Sequence, residues 1–374
     1  MKIAIDVTPI AYSRGGVGYY TYKLVEAIIA IDKDDSFILY YGMKTDQRLP
    51  LFAGPNISIV QAPISPRIAN KLYRQCQIPI EMFVGNVDIV HAPSYFVKCK
   101  KRTRSIITVH DLAYLTYPHT FPKHIIRDME KHLKESIEHS SLILADSVST
   151  KKDLIQYLKV DPLKVRVIYL GVDNKFMRYG IKDDGNDLIE SFGIERKYIL
   201  HVGSFEPRKN IERLLKAYSM IRSNKQINHR LVLVGKDEWL EKDLFDEIRK
   251  TEYFGDVIIL RDVKEDELIK LYNNAEMLVY PSLYEGFGLP LLEAMACGTP
   301  IAASYSSSIP EVVGEAAVYF DPLSVDEMAQ KMVELIESEE LRGKLIEAGL
   351  KRVGFFTWER TAKETINAYR EVFN

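Results

Sequence analysis

The chain has 374 residues, 47% of them hydrophobic and 27% charged, with a formal net charge of −2. That length and balance fit two globular domains with cores of their own, and exclude a disordered or low-complexity chain. The near-zero charge removes any general pull toward nucleic acid, so no nucleic-acid partner is expected.

In chain order, short β-branched runs alternate with helical patterns. The runs are KIAID (2–6), FILYYG (37–42), ISIVQA (57–62), VDIVHA (87–92), SIITVH (105–110), LILADS (142–147) and VRVIYL (165–170). They are near-continuously apolar, as strands buried on both faces of a parallel sheet are. Helical segments such as GYYTYKLVEAIIA and RDMEKHLKESIEHS fall between them. Residues 171–197, rich in Gly, Asp, Asn and Lys, read as a linker. The alternation then restarts with YILHVGS (198–204), RLVLVGK (230–236), VIILRD (257–262), MLVYPS (277–282), TPIAAS (299–304) and AAVYFD (316–321). Two successive units of this kind predict an α/β protein of two lobes with one cleft between them, ligands binding at the carboxyl ends of the strands. The expected division is 1–172 and 173–355.

The segment richest in chemistry is EGFGLPLLE, Glu285 to Glu293, straight after the strand MLVYPS. Gly286 and Gly288 permit a tight turn and close approach to a ligand. Pro290 suits the first turn of a helix, whose free amides at Phe287, Gly288 and Leu289 would face an anion. Glu285 and Glu293 can each accept two hydroxyl hydrogen bonds from a ribose or sugar diol. The alternative is a plain strand–turn–helix connection with solvated glutamates.

In HVGSFEPRKN (201–210), Arg208 and Lys209 precede a helix, where cations are disfavoured unless they serve a ligand such as a diphosphate. In GGVGYY (15–20), Gly15, Gly16 and Gly18 form a loop whose amides can face phosphate or sugar; Thr21 stands where a dinucleotide fingerprint needs its third glycine. His110 closes a buried strand in VHDL. As a neutral imidazole it can hydrogen-bond a sugar hydroxyl, with Asp111 as orienting partner or turn cap.

DKDD (32–35) reads as a solvated turn, and His119, His124, His132 and His139 as surface or capping residues without zinc spacing. The amphipathic stretch 66–83 faces core or acceptor. The basic run KCKKRTR (98–104) is a solvated loop or a contact for anionic lipid. Cys76, Cys99 and Cys297 match no metal or disulfide pattern, which favours a reducing cytoplasm. No run reaches the roughly 20 apolar residues of a membrane span, so any membrane contact is peripheral, at the inner face.

Taken together, GGVGYY, VHDL, ADSVSTKKDL, GSFEPRKN, YPSLYEGFGLPLLEAMACGTP and IPEVVGEAAVYFDP resemble the GT-B glycosyltransferases of glycosyltransferase family 4 over nearly the whole chain. The resemblance implies two Rossmann-like domains with parallel sheets facing a central cleft, and a C-terminal helix, about 356–374, packing back on the first. It implies that Glu293 holds the donor ribose and Glu285 the transferred sugar. Amides 287–289 and Gly16 then meet sugar and phosphate, Lys209 the diphosphate, and His110 the catalytic pocket. Many members carry arginine where Ser204 stands; Arg208 is the substitute. Within the family, the wording is most similar to bacterial mannosyltransferases of polysaccharide and O-antigen assembly.

The expected activity is therefore metal-independent transfer of a hexose, with retention, from a nucleotide sugar, GDP-mannose favoured, to a glycan or lipid-linked acceptor. A UDP-sugar hexosyltransferase, a sugar-nucleotide epimerase or hydrolase, and a non-catalytic nucleotide-sugar binder remain as alternatives.

Overall fold

A computed structural model describes residues 1–12, 16–42, 52–64, 78–95, 99–100, 102–179, 190–195, 197–224, 227–236 and 252–374. Gly15, Cys76, most of the amphipathic stretch 66–83, Lys98 and Lys101 lie outside them. The chain forms two compact units, one of Met1–Gly171 with Trp358–Asn374, the other of Val172–Thr357. Among the described residues no helix is long and apolar enough to cross a membrane.

The first unit is built on a parallel sheet of β1 (Lys2–Asp6), β2 (Ser36–Tyr41), β3 (Ile57–Gln61), β4 (Ile89–Ala92), β5 (Arg104–Val109), β6 (Leu142–Ala145) and β7 (Val165–Val167). Their order is β3-β2-β1-β4-β5-β6-β7. The second unit holds β8 (Tyr198–Val202), β9 (Arg230–Val234), β10 (Val257–Leu260), β11 (Met277–Tyr280), β12 (Ile301–Ser304) and β13 (Ala317–Phe320), ordered β10-β9-β8-β11-β12-β13. Both orders reverse direction between the first and fourth strand of the unit. In open α/β sheets that switch point is where ligands bind.

The central strands β4, β8 and β11 are fully buried, as is the middle of β1, in keeping with their apolar runs. The edge strands are not. Ser58, Ile59 and Gln61 of β3 are exposed, and β10 is half-buried throughout. Pairing on one side only leaves an edge strand less covered than its apolar sequence implies.

Helix α1 (Gly16–Ile31) packs against the last helix, α9 (Trp358–Phe373). Tyr20 and Trp358 meet ring to ring at 6.2 Å, Thr361 Oγ1 donates to the Tyr169 carbonyl, and Arg166 pairs with Glu371. Phe356 stays with the second unit, edge-on to Phe287 at 5.9 Å.

Three polar segments differ from their sequence reading. DKDD is not a solvated turn. Asp32 is buried and accepts the amides of Asp34 and Asp35, while buried Asp35 pairs with the N-terminal ammonium. His132 is not a surface residue; it lies on the inward face of α2 (Lys123–His139), beside Asp128 at 3.4 Å. The described start of the expected linker is not free either. Phe176 is buried edge-on to Tyr272, and the Tyr179 amide donates to the Asn273 side chain at 2.7 Å. One aromatic among many polar residues is enough to dock the segment on the second unit.

In the second unit, the neighbouring strands β8 and β9 end in a close backbone approach. The Gly203 amide donates to the Val234 carbonyl, and a Cβ on Gly235 would sit 2.0 Å from the Gly203 carbonyl oxygen. Backbone cannot yield there as a flexible side chain would. Gly235→Ala is therefore expected to destabilise the protein by about 3 kcal/mol, visible as a lowered unfolding temperature; an unchanged midpoint would contradict the packing described.

Candidate functional site

The loops after β8 and β11, neighbours at the switch point, carry a buried cluster of four charges. After β8 the chain makes a short 3-10 turn, Pro207–Lys209, then passes through Asn210 in the left-handed region (φ 60°) into α4 (Ile211–Ser223). The Asn210 side chain donates to the carbonyls of Pro281 and Pro322, and the Leu283 amide donates to the Arg208 carbonyl. The two loops are thereby bound to each other by main-chain geometry.

That geometry sets Glu285 between two cations. Lys209 Nζ lies 2.7 Å from one Glu285 oxygen, and the Arg208 guanidinium lies 3.0 Å from the other. Arg208 also donates to the Tyr284 carbonyl at 2.6 Å and to Glu206 at 2.8 Å. Glu206 in turn accepts from Ser204 Oγ at 2.7 Å. All four charged side chains are buried. Burial alone would raise the Glu285 carboxyl; Lys209 and then Arg208 outweigh it and hold the group at about 2. Ser204 thus orients Glu206, and Arg208 reaches the cluster from four residues on.

A second segment fixes the Glu285 loop from the other side. Ser304 Oγ donates to the Ser282 carbonyl, Ser306 Oγ to Leu283, and Ser308 Oγ to both Glu285 and Phe287. Ser307, left-handed at φ 47°, accepts the Glu285 amide at 2.8 Å. These serines were not singled out from the sequence. Their clustering in ASYSSSIPE, just after an apolar strand, was the available signal.

The turn continues as expected into α6 (Leu289–Cys297), with Gly288 at its N-cap (φ 105°) and Pro290 in its first turn. A Cβ on Gly288 would strike Leu291 at 2.9 Å. Gly286 sits within the turn, and Phe287 packs inward on Phe356. Glu293, one turn into the helix, accepts from the Tyr272 hydroxyl of α5 (Glu265–Asn274) at 2.9 Å. Burial pushes its carboxyl up to about 7. The two glutamates of the motif therefore differ in kind: Glu285 is an ion held by ions, Glu293 a carboxyl poised to lose its proton.

In the first unit, Gly16 begins α1 in the left-handed region (φ 53°) with open space where a side chain would stand. His110, just past β5, is not oriented by Asp111, whose carboxylate caps the Ala113 amide. Its partner is Asp146, at 2.6 Å, which sequence reasoning missed although ADSVST was in view. His91, the other buried histidine nearby, joins the Tyr369 hydroxyl at 2.6 Å to Thr108 at 3.0 Å. Among the described residues no three His, Cys, Asp or Glu side chains gather as a metal site, and Cys99 and Cys297 are free thiols.

Comparison with known proteins agrees with this arrangement. Residues 14–176 match the family described as Glycosyltransferase Family 4, and residues 186–352 that described as Glycosyl transferases group 1. O-antigen chain mannosyltransferase B of Escherichia coli is 30% identical over 383 aligned positions, covering 99% of this chain and 100% of that protein. The chain belongs to the family 4 glycosyltransferases. A second relative, the serotype-specific mannosyltransferase WbdA of Escherichia coli, is 30% identical over 92% of this chain, which spans 44% of its length. Sucrose-phosphate synthase from Thermosynechococcus elongatus superposes with a TM-score of 0.77 over 100% of this glycosyltransferase and 99% of its own chain, at 21% identity. That likeness establishes the GT-B class of two Rossmann-like domains.

The Glu293 carboxyl has a definite pH signature. Its folded value of about 7 exceeds the ordinary 4.5, so its contribution to stability is complete below pH 4.5 and lost as pH rises through 7. With allowance for screening at its half-buried edge, the loss is about 2 kcal/mol. Without nucleotide, Glu293→Gln should therefore gain on the parent in melting temperature between pH 5 and pH 8. A difference that stays flat with pH would refute the assignment.

Proposed function

We propose that this enzyme transfers mannose from GDP-mannose, with retention of anomeric configuration and without a metal, to a hydroxyl of a glycan or lipid-linked acceptor in polysaccharide assembly of the O-antigen type. The observation that carries the reading is the buried Glu285 held between Arg208 and Lys209 at the switch point, with Glu293 beyond it on α6. The mannosyltransferase names of the relatives support mannose as the sugar.

In this reading Glu293 holds the ribose hydroxyls, and the amides of Phe287, Gly288 and Leu289 meet sugar and phosphate. Without donor, Glu285 and Glu206 together balance the two cations. The diphosphate takes over that charge balance, and Glu285 is freed to accept from the sugar's hydroxyls. As the bond between C1 and the phosphate oxygen breaks, Lys209 and Arg208 stabilise the charge on the departing diphosphate. The acceptor oxygen attacks from the same face, and its proton passes to the leaving phosphate oxygen. His110 meets a hydroxyl of the transferred sugar. Cationic side chains and helix amides do here the work a divalent ion does elsewhere.

The test is transfer from GDP-mannose, GDP-glucose, UDP-glucose and UDP-galactose to lipid-linked oligosaccharide acceptors, in excess chelator, with product anomers assigned by NMR. An α-mannosyl product from GDP-mannose alone supports the proposal. Transfer from a UDP-sugar, an inverted product or dependence on added metal overturns the corresponding part. Lys209→Ala is expected to lower kcat on the order of 100-fold or more.

We also propose peripheral contact with anionic lipid through α2. Lys123, His124, Arg127, Lys131 and Lys134 are all exposed and recur along one face, while Asp128, Glu130 and Glu135 are half-buried beside it. Lys100, Arg102 and Arg104 of the basic run are exposed as well. Near an anionic surface each such cation contributes about 1 kcal/mol. Binding to phosphatidylglycerol vesicles should fall at least tenfold in the variant with Lys131→Glu and Lys134→Glu, and should vanish in high salt; equal binding to neutral vesicles would exclude this contact.

A further inference from the structure

Parallel pairing places two titratable side chains together in the first unit. Val109 of β5 is in register with Ala145 of β6, so the next residues, His110 and Asp146, emerge side by side at the carboxyl ends of neighbouring strands. Asp146 Oδ2 lies 2.6 Å from His110 Nδ1, and the Pro93 carbonyl oxygen, just past β4, lies 3.1 Å from Nε2. The backbone around the pair is fixed. Ser147 caps α3 (Val148–Leu158) by accepting the Thr150 amide, and Thr150 Oγ1 donates to the His110 carbonyl at 3.1 Å.

A backbone carbonyl only accepts, so Nε2 carries a proton. A carboxylate also only accepts, so with Asp146 ionised Nδ1 carries one too. We propose that Asp146 is a positioning residue that keeps His110 doubly protonated, so that His110 meets the substrate as a cationic donor and not as a neutral imidazole. This rests on the reading that His110 faces the transferred sugar.

The surroundings favour the charged ring. Burial opposes it, but the Asp146 charge and hydrogen bond, the Pro93 carbonyl and the Asp111 charge together leave the His110 value raised. From α1, Tyr20 presents its ring at 4.7 Å, edge to face, and its hydroxyl is turned to Thr108 at 3.3 Å. His91 on β4 does not compete. Burial and the charge of His110 hold it down at about 3, so it stays neutral between Tyr369 and Thr108. The side chain of Asp146 is 5% exposed and that of His110 19%, so one edge of the imidazolium remains open. There Nε2–H can turn from the Pro93 carbonyl to a substrate oxygen.

The experiment follows the His110 ring by nitrogen-15 NMR alongside kinetics in the parent, Asp146→Asn and Asp146→Glu. The asparagine keeps the shape and removes the charge. In the parent, both ring nitrogens should be protonated at pH 7, and kcat should fall on the alkaline limb as the ring loses its second proton. In Asp146→Asn that limb should move at least one pH unit toward acid, so that kcat at pH 8 drops tenfold or more but less than twofold at pH 6. Asp146→Glu should recover most of the difference. Nucleotide affinity by calorimetry, which reads the second unit, should not change, and an unchanged thermal-unfolding midpoint serves as the folding control for the first. A singly protonated ring in the parent, or an alkaline limb unmoved by Asp146→Asn, overturns the proposal. His110→Ala with full activity would instead overturn the assignment of His110 to the sugar, and the NMR titration of the pair separates the two failures.

Discussion

A carboxylate buried without a partner is driven to neutrality or costs several kcal/mol. Much of the second unit is arranged around avoiding that for Glu285. Its two cations come from one short turn, Pro207–Lys209, which can reach it because β8 and β11 are adjacent in the sheet. Asn210 in the left-handed region ends that turn and binds the opposite loop, while the serines from Ser304 to Ser308 hold the carboxylate's own backbone. Glu206 and Glu285 together balance Arg208 and Lys209. The four charges of this cluster therefore sum to zero.

The two members of the Glu285–Glu293 motif show how environment divides similar groups between tasks. Glu285 sits among cations and is ionised at any physiological pH. Glu293 is surrounded by helix and by the Tyr272 hydroxyl, and its ionisation falls near neutrality. On the proposed reading, ribose hydroxyls donating to Glu293 favour its ionised form, which would couple nucleotide binding to proton release there.

What could be read from sequence was whatever depends on pattern. Among the described residues, thirteen strands and their parallel pairing follow from apolar runs alternating with helices, because each run is short and each helix periodic. The turn Gly286–Leu289 was legible because glycine and proline have few uses in such positions. What escaped depends on which loops become neighbours. Asp146 is remote from His110 in the chain, and only the β5–β6 register joins them. Asp32 and His132 looked solvated because polarity implies exposure, until a local cap or an ion pair removes the cost of burial. The exposed face of β3 came from the strand's place at the edge, which its own residues do not encode.

Helix α9 follows the whole second unit in the chain yet completes the first. Its Trp358 covers Tyr20, its Thr361 holds the end of the strand region at Tyr169, and its Tyr369 satisfies buried His91. On a ribosome the order of emergence is therefore not the order of completion. The first unit waits with α1 uncovered and His91 lacking its phenol while the second is made. The second, a continuous stretch of sequence, can close once the helices after its last strand, whose Met328, Met332 and Leu335 fill its core, are out. The enzyme's amino-terminal half is then the later of the two to finish folding, and during synthesis it is the half that needs shelter from other chains.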